Sequence, residues 1–251
     1  DSVAQLGGIH LACEQASNLL TKVLEWGRLM SYLEQSTRYI AYDARIGERY
    51  GFHRDPGVLG SPLGTRYVGE MDRLFDTYAE LLPKLTEFFR VQFPKDPDDS
   101  DFVYRQATRA KAFDALRGLL PAASLSNVGI YGTGQAYEAL LLRMRSHPLP
   151  EARTYADLIL HELRKVIPSF LKRVDLADRG VAWSTYLATN RTAMDEVADR
   201  LFPADTPADG APVVTLTDFD PEAEVKLVTA MLYAHTHVPE TQVEARVRAM
   251  S

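Results

Sequence analysis

The chain has 251 residues, 46% apolar and 25% charged, the proportions of an ordinary globular protein long enough to bury a sizeable core. Its formal net charge of -6 argues against a nonspecific binder of nucleic-acid polymers, although a nucleotide pocket needs only a local group of arginines. Cys13 is the single cysteine, which excludes an internal disulfide and a cysteine-rich metal site; no apolar run has membrane-spanning length, and the cytoplasm is the expected compartment.

Apolar residues at helical spacing, Leu20, Leu24 and Gly27 with Val23 and Met30 beside them, predict a helix over 11–33. At 100° per residue, Leu20, Leu24, Gly27, Ser31, Gln35 and Arg38 share an arc of about 80°, so a core-facing stripe turns polar and cationic. An unpaired arginine on such a stripe costs too much desolvation. Either the helix runs into solvent after Met30, with Glu34 and Arg38 as an i,i+4 ion pair, or its polar end lines a pocket for an anion. Residues 43–65 are dense in glycine and proline and read as a flexible loop. A long amphipathic helix follows over 68–89, bent at Pro83, and an acidic turn at 94–100 caps a helix over 101–120. Further helices are expected over 133–145, over 151–174 with an interruption near Pro168, and over 181–202. A linker near 203–212 leads to the one convincing strand, 213–217, and then to helices over 222–235 and 240–250. The six histidines form no metal-binding pattern, and no Gly-rich dinucleotide fingerprint or nucleophile elbow is present.

Ordered stretches along the chain carry a resemblance. W-G-R-L-M-S-Y-L-E-Q-S-T-R-Y, residues 26–39, is similar to R-H-R-x-x-S followed by S-x-R-Y, the motif of the flavin-dependent thymidylate synthases (thymidylate synthase complementing proteins). Arg28, Ser31, Ser36, Arg38 and Tyr39 match it, and Glu34 takes the usual acidic position; Trp26 and Gly27 stand where the family has Arg and His. A-L-R-G-L-L-P at 115–121 resembles the A-R-x-x-L-P element, with Arg117 as its arginine. T-G-Q-A-Y at 133–137 resembles a T-G-N-x-R flavin-contacting run, with Gln135 for Asn and Tyr137 for Arg. L-L-L-R at 140–143, Ser146-His147 and the stretch from Glu151 to Ala156 follow the pattern L-x-L-R … S-H … E-I-x-x-Y-A.

The resemblance implies a helix-dominated α+β fold, in one domain over 1–251 that lacks the family's N-terminal strand and helix. Since the sequence starts at Asp1 and some relatives carry two units in tandem, it reads as a first unit of a longer protein. It also implies the activity: FAD-dependent reductive methylation of dUMP to dTMP, with methylene tetrahydrofolate as carbon donor and NADPH as reductant. Arg143 is then the arginine that activates the pyrimidine, in competition with Arg145; Glu34, Gln35, Ser36, Thr37, Arg38 and Arg117 hold the nucleotide. Arg28, Ser31, Glu34, Gln135 and His147 contact the flavin, and no metal is required. The departures at Trp26, Gly27 and Tyr137 fall on the flavin side, so a related UMP/dUMP C5-methyltransferase and a non-catalytic nucleotide-binding unit remain the alternatives. The family builds its sites across subunits, which implies a homo-oligomer, a tetramer or a dimer of tandem units.

Overall fold

In the computed structural model, which describes residues 5–204, 206, 210 and 214–250, the sheet is organised by a strand that periodicity hides. Strand β3 (Leu125–Gly132) turns Ser126, Val128, Ile130 and Gly132 inward, so two of its four buried residues are not apolar. It lies between β1 (Ile9–Ser17) and β2 (Met30–Glu34), antiparallel to both. Ile9 and Met30 face Gly132 from opposite sides, and a Cβ there would lie 2.6 Å from the Met30 Cε, so any larger residue would have to displace the Met30 side chain. In β1 the register shifts between Cys13 and Ala16, where Gln15 adopts φ 57° and its N–H donates to Asn127 Oδ1 at 2.8 Å.

The helix expected over 11–33 is corrected here. Only α1 (Asn18–Leu24) is helical, capped by the Ser17 hydroxyl, which accepts from Leu20 N. The helical spacing of Leu20 and Leu24 is genuine and buries both, but the residues before Ser17 find ladder partners in β3 and those after Met30 find them on its other edge. Pairing of backbone groups in a sheet outweighs the modest helix preference of Leu, Ala, Glu and Gln. The polar stretch 26–39 is therefore a turn, an edge strand and a second turn.

The helices α5 (Gly134–Arg145) and α6 (Pro150–Val166) cover one face of the sheet. Leu20, Leu24, Val128, Ile130, Leu140 and Leu163 belong to the resulting core. Loop 43–55 leads to the short α2 (Pro56–Leu59), an element within the stretch expected to be loop. The antiparallel pair α3 (Gly64–Gln92) and α4 (Asp101–Leu116) has a core of its own around Tyr78, Leu82 and Phe113. α3 continues through Pro83, and α4 starts at the Ser100 cap and ends in a 3-10 turn, Arg117–Leu119. α7 (Ala182–Leu201) follows a π turn at Ala177–Val181.

The chain divides into two compact units, Asp1–Val197 and Ala198–Ser251. The second contains α8 (Ala223–Tyr233) and α9 (Glu240–Arg248), which pack on each other. The strand expected over 213–217 is a further correction: Val213 lies outside the described residues, and Val214 and Leu216, 87% and 77% exposed, are in no strand. β-branched residues favour a sheet only where a neighbour offers a ladder. No described helix is long and apolar enough to cross a membrane.

Candidate functional site

The turn between α1 and β2 carries the start of the 26–39 motif. Tyr32 of β2 closes it, its hydroxyl donating to the Gly27 carbonyl at 2.8 Å. A Cβ at Gly27 would meet that hydroxyl at 2.8 Å, so a larger residue there would displace the Tyr32 hydroxyl. Trp26, 75% exposed, is left projecting. Beside it opens a cavity of about 550 Å³, whose walls include Trp26, Arg28, Met30, Gln135, Leu140 and Arg143. That volume is in the usual range for small-molecule sites, about 300–1,000 Å³.

Helix α5 supplies the opposite wall. Thr133 caps it by accepting from Ala136 N, which fixes Gln135 in the first turn and Arg143 in the last. The Arg143 guanidinium donates one Nη to the Val23 carbonyl at 3.2 Å, joining α5 to the end of α1. Its Nε is buried without a hydrogen-bond partner, and burial lowers its pKa from the ordinary arginine value. Arg145, two residues on, instead pairs with Asp157 at 2.9 Å. His147 follows α5; its Nδ1 accepts from Leu149 N at 3.1 Å. Burial first, then Arg191, Arg143 and Arg153, lowers its pKa and keeps the ring neutral. With Nδ1 accepting, the proton sits on Nε2, which is a donor.

Tyr137 is fully buried, and its hydroxyl is placed to donate to the carbonyls of Ile9 and Ile130 at 3.0 and 3.1 Å. In this chain the side chain belongs to the sheet–helix core.

The residues expected on the nucleotide side gather elsewhere. Glu34 ends β2 and pairs with Lys22 at 2.9 Å, not with Arg38 as an i,i+4 helical pair would require. Gln35 Oε1 accepts from Asn127 Nδ2 at 2.7 Å and its carbonyl accepts from the Ser126 hydroxyl. The turn that follows contains Ser36, whose hydroxyl accepts from Arg38 N, and the half-buried Thr37. Arg38 and Arg117 both lie 3.2 Å from Asp114 Oδ1, which draws two guanidiniums from distant parts of the sequence together. Neither lines the cavity that holds Arg28, Gln135 and Arg143, and Ser31 is exposed on β2 opposite Tyr131. The chain thus forms two cationic centres, one at the turn 25–30 and α5, the other at Asp114. Asp114 and Lys22 were missed from the sequence because nothing in spacing distinguishes them from ordinary surface charges.

The structure is an α+β domain dominated by helices, with guanidiniums on the wall of an open cavity. The chain belongs to the thymidylate synthase complementing protein family, whose model matches residues 1–169. A UPF0159 protein of Chlamydia muridarum is 44% identical over 176 residues, 70% of this chain and 33% of the relative. One from Chlamydia pneumoniae is 37% identical over 241 residues, 94% of this chain and 45% of the relative. A UPF0159 protein of Thermoplasma acidophilum is 29% identical over 193 residues, 68% of this chain and 39% of the relative. The chain spans less than half the length of each of these relatives.

Proposed function

We propose that this chain is a unit of a flavin-dependent thymidylate synthase that binds dUMP and FAD and takes part in methylation of the pyrimidine. The observation that carries the reading is the cavity at turn 25–30, where Arg28, Gln135 and Arg143 converge from separate motifs. Arg143 lines this cavity, and its guanidinium supplies a charged donor that suits a flavin or pyrimidine carbonyl. When bound, reduced FAD supplies a hydride, with methylene tetrahydrofolate as carbon donor and NADPH as the source of flavin reduction.

In this reading the protein contributes charge and orientation. Arg143 stabilises negative charge on the pyrimidine as its N3 proton leaves, which raises electron density at C5, the carbon to be methylated. Arg28 and Gln135 hold the flavin, and Arg38 and Arg117 take the nucleotide phosphate in place of Asp114. Such a route needs no protein nucleophile. Cys13 is buried in β1 with its thiol pushed up to about 12, so this chain offers no thiolate near neutral pH.

The separation of the two cationic centres supports a site completed across copies or units of the protein, and hence a homo-oligomer. Light scattering of the purified chain with and without FAD and deoxyuridylate tests this. Association promoted by the ligands is expected, because a ligand bound across an interface stabilises the assembled state. A monomer under all conditions would mean that the chain is a supporting unit without a site of its own.

A further inference from the structure

The bulge in β1 sets two residues, Glu14 and Gln15, opposite the single Asn127 of β3, because Cys13 pairs with Val128 and Ala16 with Ser126. Gln15 takes φ 57°, in the left-handed region that a residue with a Cβ adopts only at some cost. In this conformation its N–H reaches the Asn127 side chain, 2.8 Å from Oδ1. The contact has a fixed polarity, since a backbone N–H can only donate. Asn127 therefore turns its oxygen to Gln15 and its NH2 to the other side, where Nδ2 lies 2.7 Å from Gln35 Oε1. Gln35 in turn gives its oxygen to Asn127 and leaves its own NH2 facing away. One irreversible donor thus sets the direction of two carboxamides, which have no such preference by themselves.

The backbone of Gln35 is held as well. Its N–H donates to the Asn127 carbonyl at 2.9 Å, and its carbonyl accepts from the Ser126 hydroxyl at 3.1 Å. With the main chain pinned, the direction of the amide is what remains to be set, and Asn127 sets it. Gln35, Gln15 and Asn127 line a cavity of about 270 Å³ with Tyr42, Ile46 and Leu125, and none of its wall residues is charged. Among the described residues the Gln35 Nε2 donates to no protein acceptor. The turn with Ser36 and Arg38 follows directly. We propose that Asn127 is a positioning residue for the nucleotide, holding the Gln35 carboxamide with its NH2 towards the ligand. This rests on the reading of Gln35 and Arg38 as nucleotide contacts. The carbonyl, sugar-ring and phosphate oxygens of a pyrimidine nucleotide accept hydrogen bonds, so an NH2 attracts them and an amide oxygen in its place repels them. Asn127 lies between the motif stretches 115–121 and 133–137 and belongs to neither.

The relay is read first without ligand, in the full isotope-labelled chain. Side-chain amide exchange followed by NMR should show an Asn127 NH2 proton slowed about fivefold relative to those of Gln35, the protection given by one ordinary hydrogen bond. Asn127→Asp keeps an acceptor for the Gln15 N–H, but its second oxygen can only accept. The Gln35 carboxamide should then turn over, and its NH2 should become the slowed group. Deoxyuridylate affinity, measured by calorimetry, should fall about tenfold or more in this variant. The ratio between the two chains should persist at high salt, where repulsion between the added carboxylate and the phosphate is screened. Asn127→Ala frees the amide without adding charge and should lose less, about fivefold. Fast exchange at Asn127 in the unaltered chain, unchanged Gln35 exchange in Asn127→Asp, or an affinity loss that high salt removes would overturn the positioning role. An unaltered chain with the expected exchange pattern but no deoxyuridylate binding would keep the Asn127–Gln35 relay and contradict the proposed function instead.

Discussion

Ser17 gives Glu151 both of its donors: its backbone N–H lies 2.9 Å from one carboxylate oxygen and its hydroxyl 2.5 Å from the other, across 134 residues of sequence. Both residues are buried, and Ser17 also caps α1, so one carboxylate at the start of α6 fixes the junction of β1 and α1. Glu151→Ala leaves two buried donors unmet and should destabilise the protein by about 3 kcal/mol, whereas Glu151→Gln keeps an acceptor and should cost about half as much. Urea unfolding of the two variants checks this; equal, small losses would show that the pairing adds little to stability.

Alkaline pH should unfold the protein through its buried acids. Burial raises Cys13 from 9.0 to about 12 and Tyr78 and Tyr155 from 10.0 to about 12, and it raises Tyr137 as well. Folded values above the unfolded ones mean that the native state keeps protons which the unfolded chain releases. Their stabilising effect is therefore whole below about pH 9 and is lost as pH rises towards 12, at up to about 1.4 kcal/mol per pH unit for each group. Thermal melts over this range test the slope. Cys13→Ala should move the onset from about 9 to about 10.

Asp114 holds Arg38 and Arg117 where a phosphate could replace it. All three side chains are about half exposed, so the ion pairs themselves contribute less than about 1 kcal/mol to folding. Arg38→Ala should weaken deoxyuridylate binding by roughly 30-fold or more, while Asp114→Asn, which frees both guanidiniums, should tighten it. Calorimetry giving wild-type affinity for both variants would remove this centre from the nucleotide site.

Gly27 and Tyr32 form a coupled pair. Gly27→Ala pushes the Tyr32 hydroxyl off the Gly27 carbonyl and should cost about 1 kcal/mol. In Tyr32→Phe the hydroxyl is absent, so the same Gly27→Ala change should cost almost nothing more. A double-mutant cycle in urea measures this coupling, and strictly additive losses would contradict it.

The helical half of this fold is legible in the sequence and the sheet is not. The amphipathic run 68–89, the acidic turn ending at Ser100 and the apolar period of 133–145 announce α3, α4 and α5. β3 hides behind Ser126 and Gly132 at inward positions, and β1 behind a bulge and residues that also suit a helix. The apolar spacing that continues from Leu20 to Gly27 then suggested one helix where the chain makes a strand, a short helix and a turn. The motif residues were readable by resemblance, and Arg28, Gln135 and Arg143 do share a cavity. Their relation to Arg38 and Arg117 was not, because Asp114 joins the latter pair through tertiary packing that no local pattern encodes.

The cavity beside Trp26 is proposed to bind a flavin through Arg28 and Gln135. Titration of the purified chain with FAD, followed by flavin absorbance and fluorescence, tests this most directly when repeated on Arg28→Ala and Gln135→Ala. The expected result is saturable binding by the unaltered chain, weakened about tenfold or more in Arg28→Ala and less in Gln135→Ala. A chain that takes up no FAD, or variants that bind it as tightly as the unaltered protein, would contradict the account.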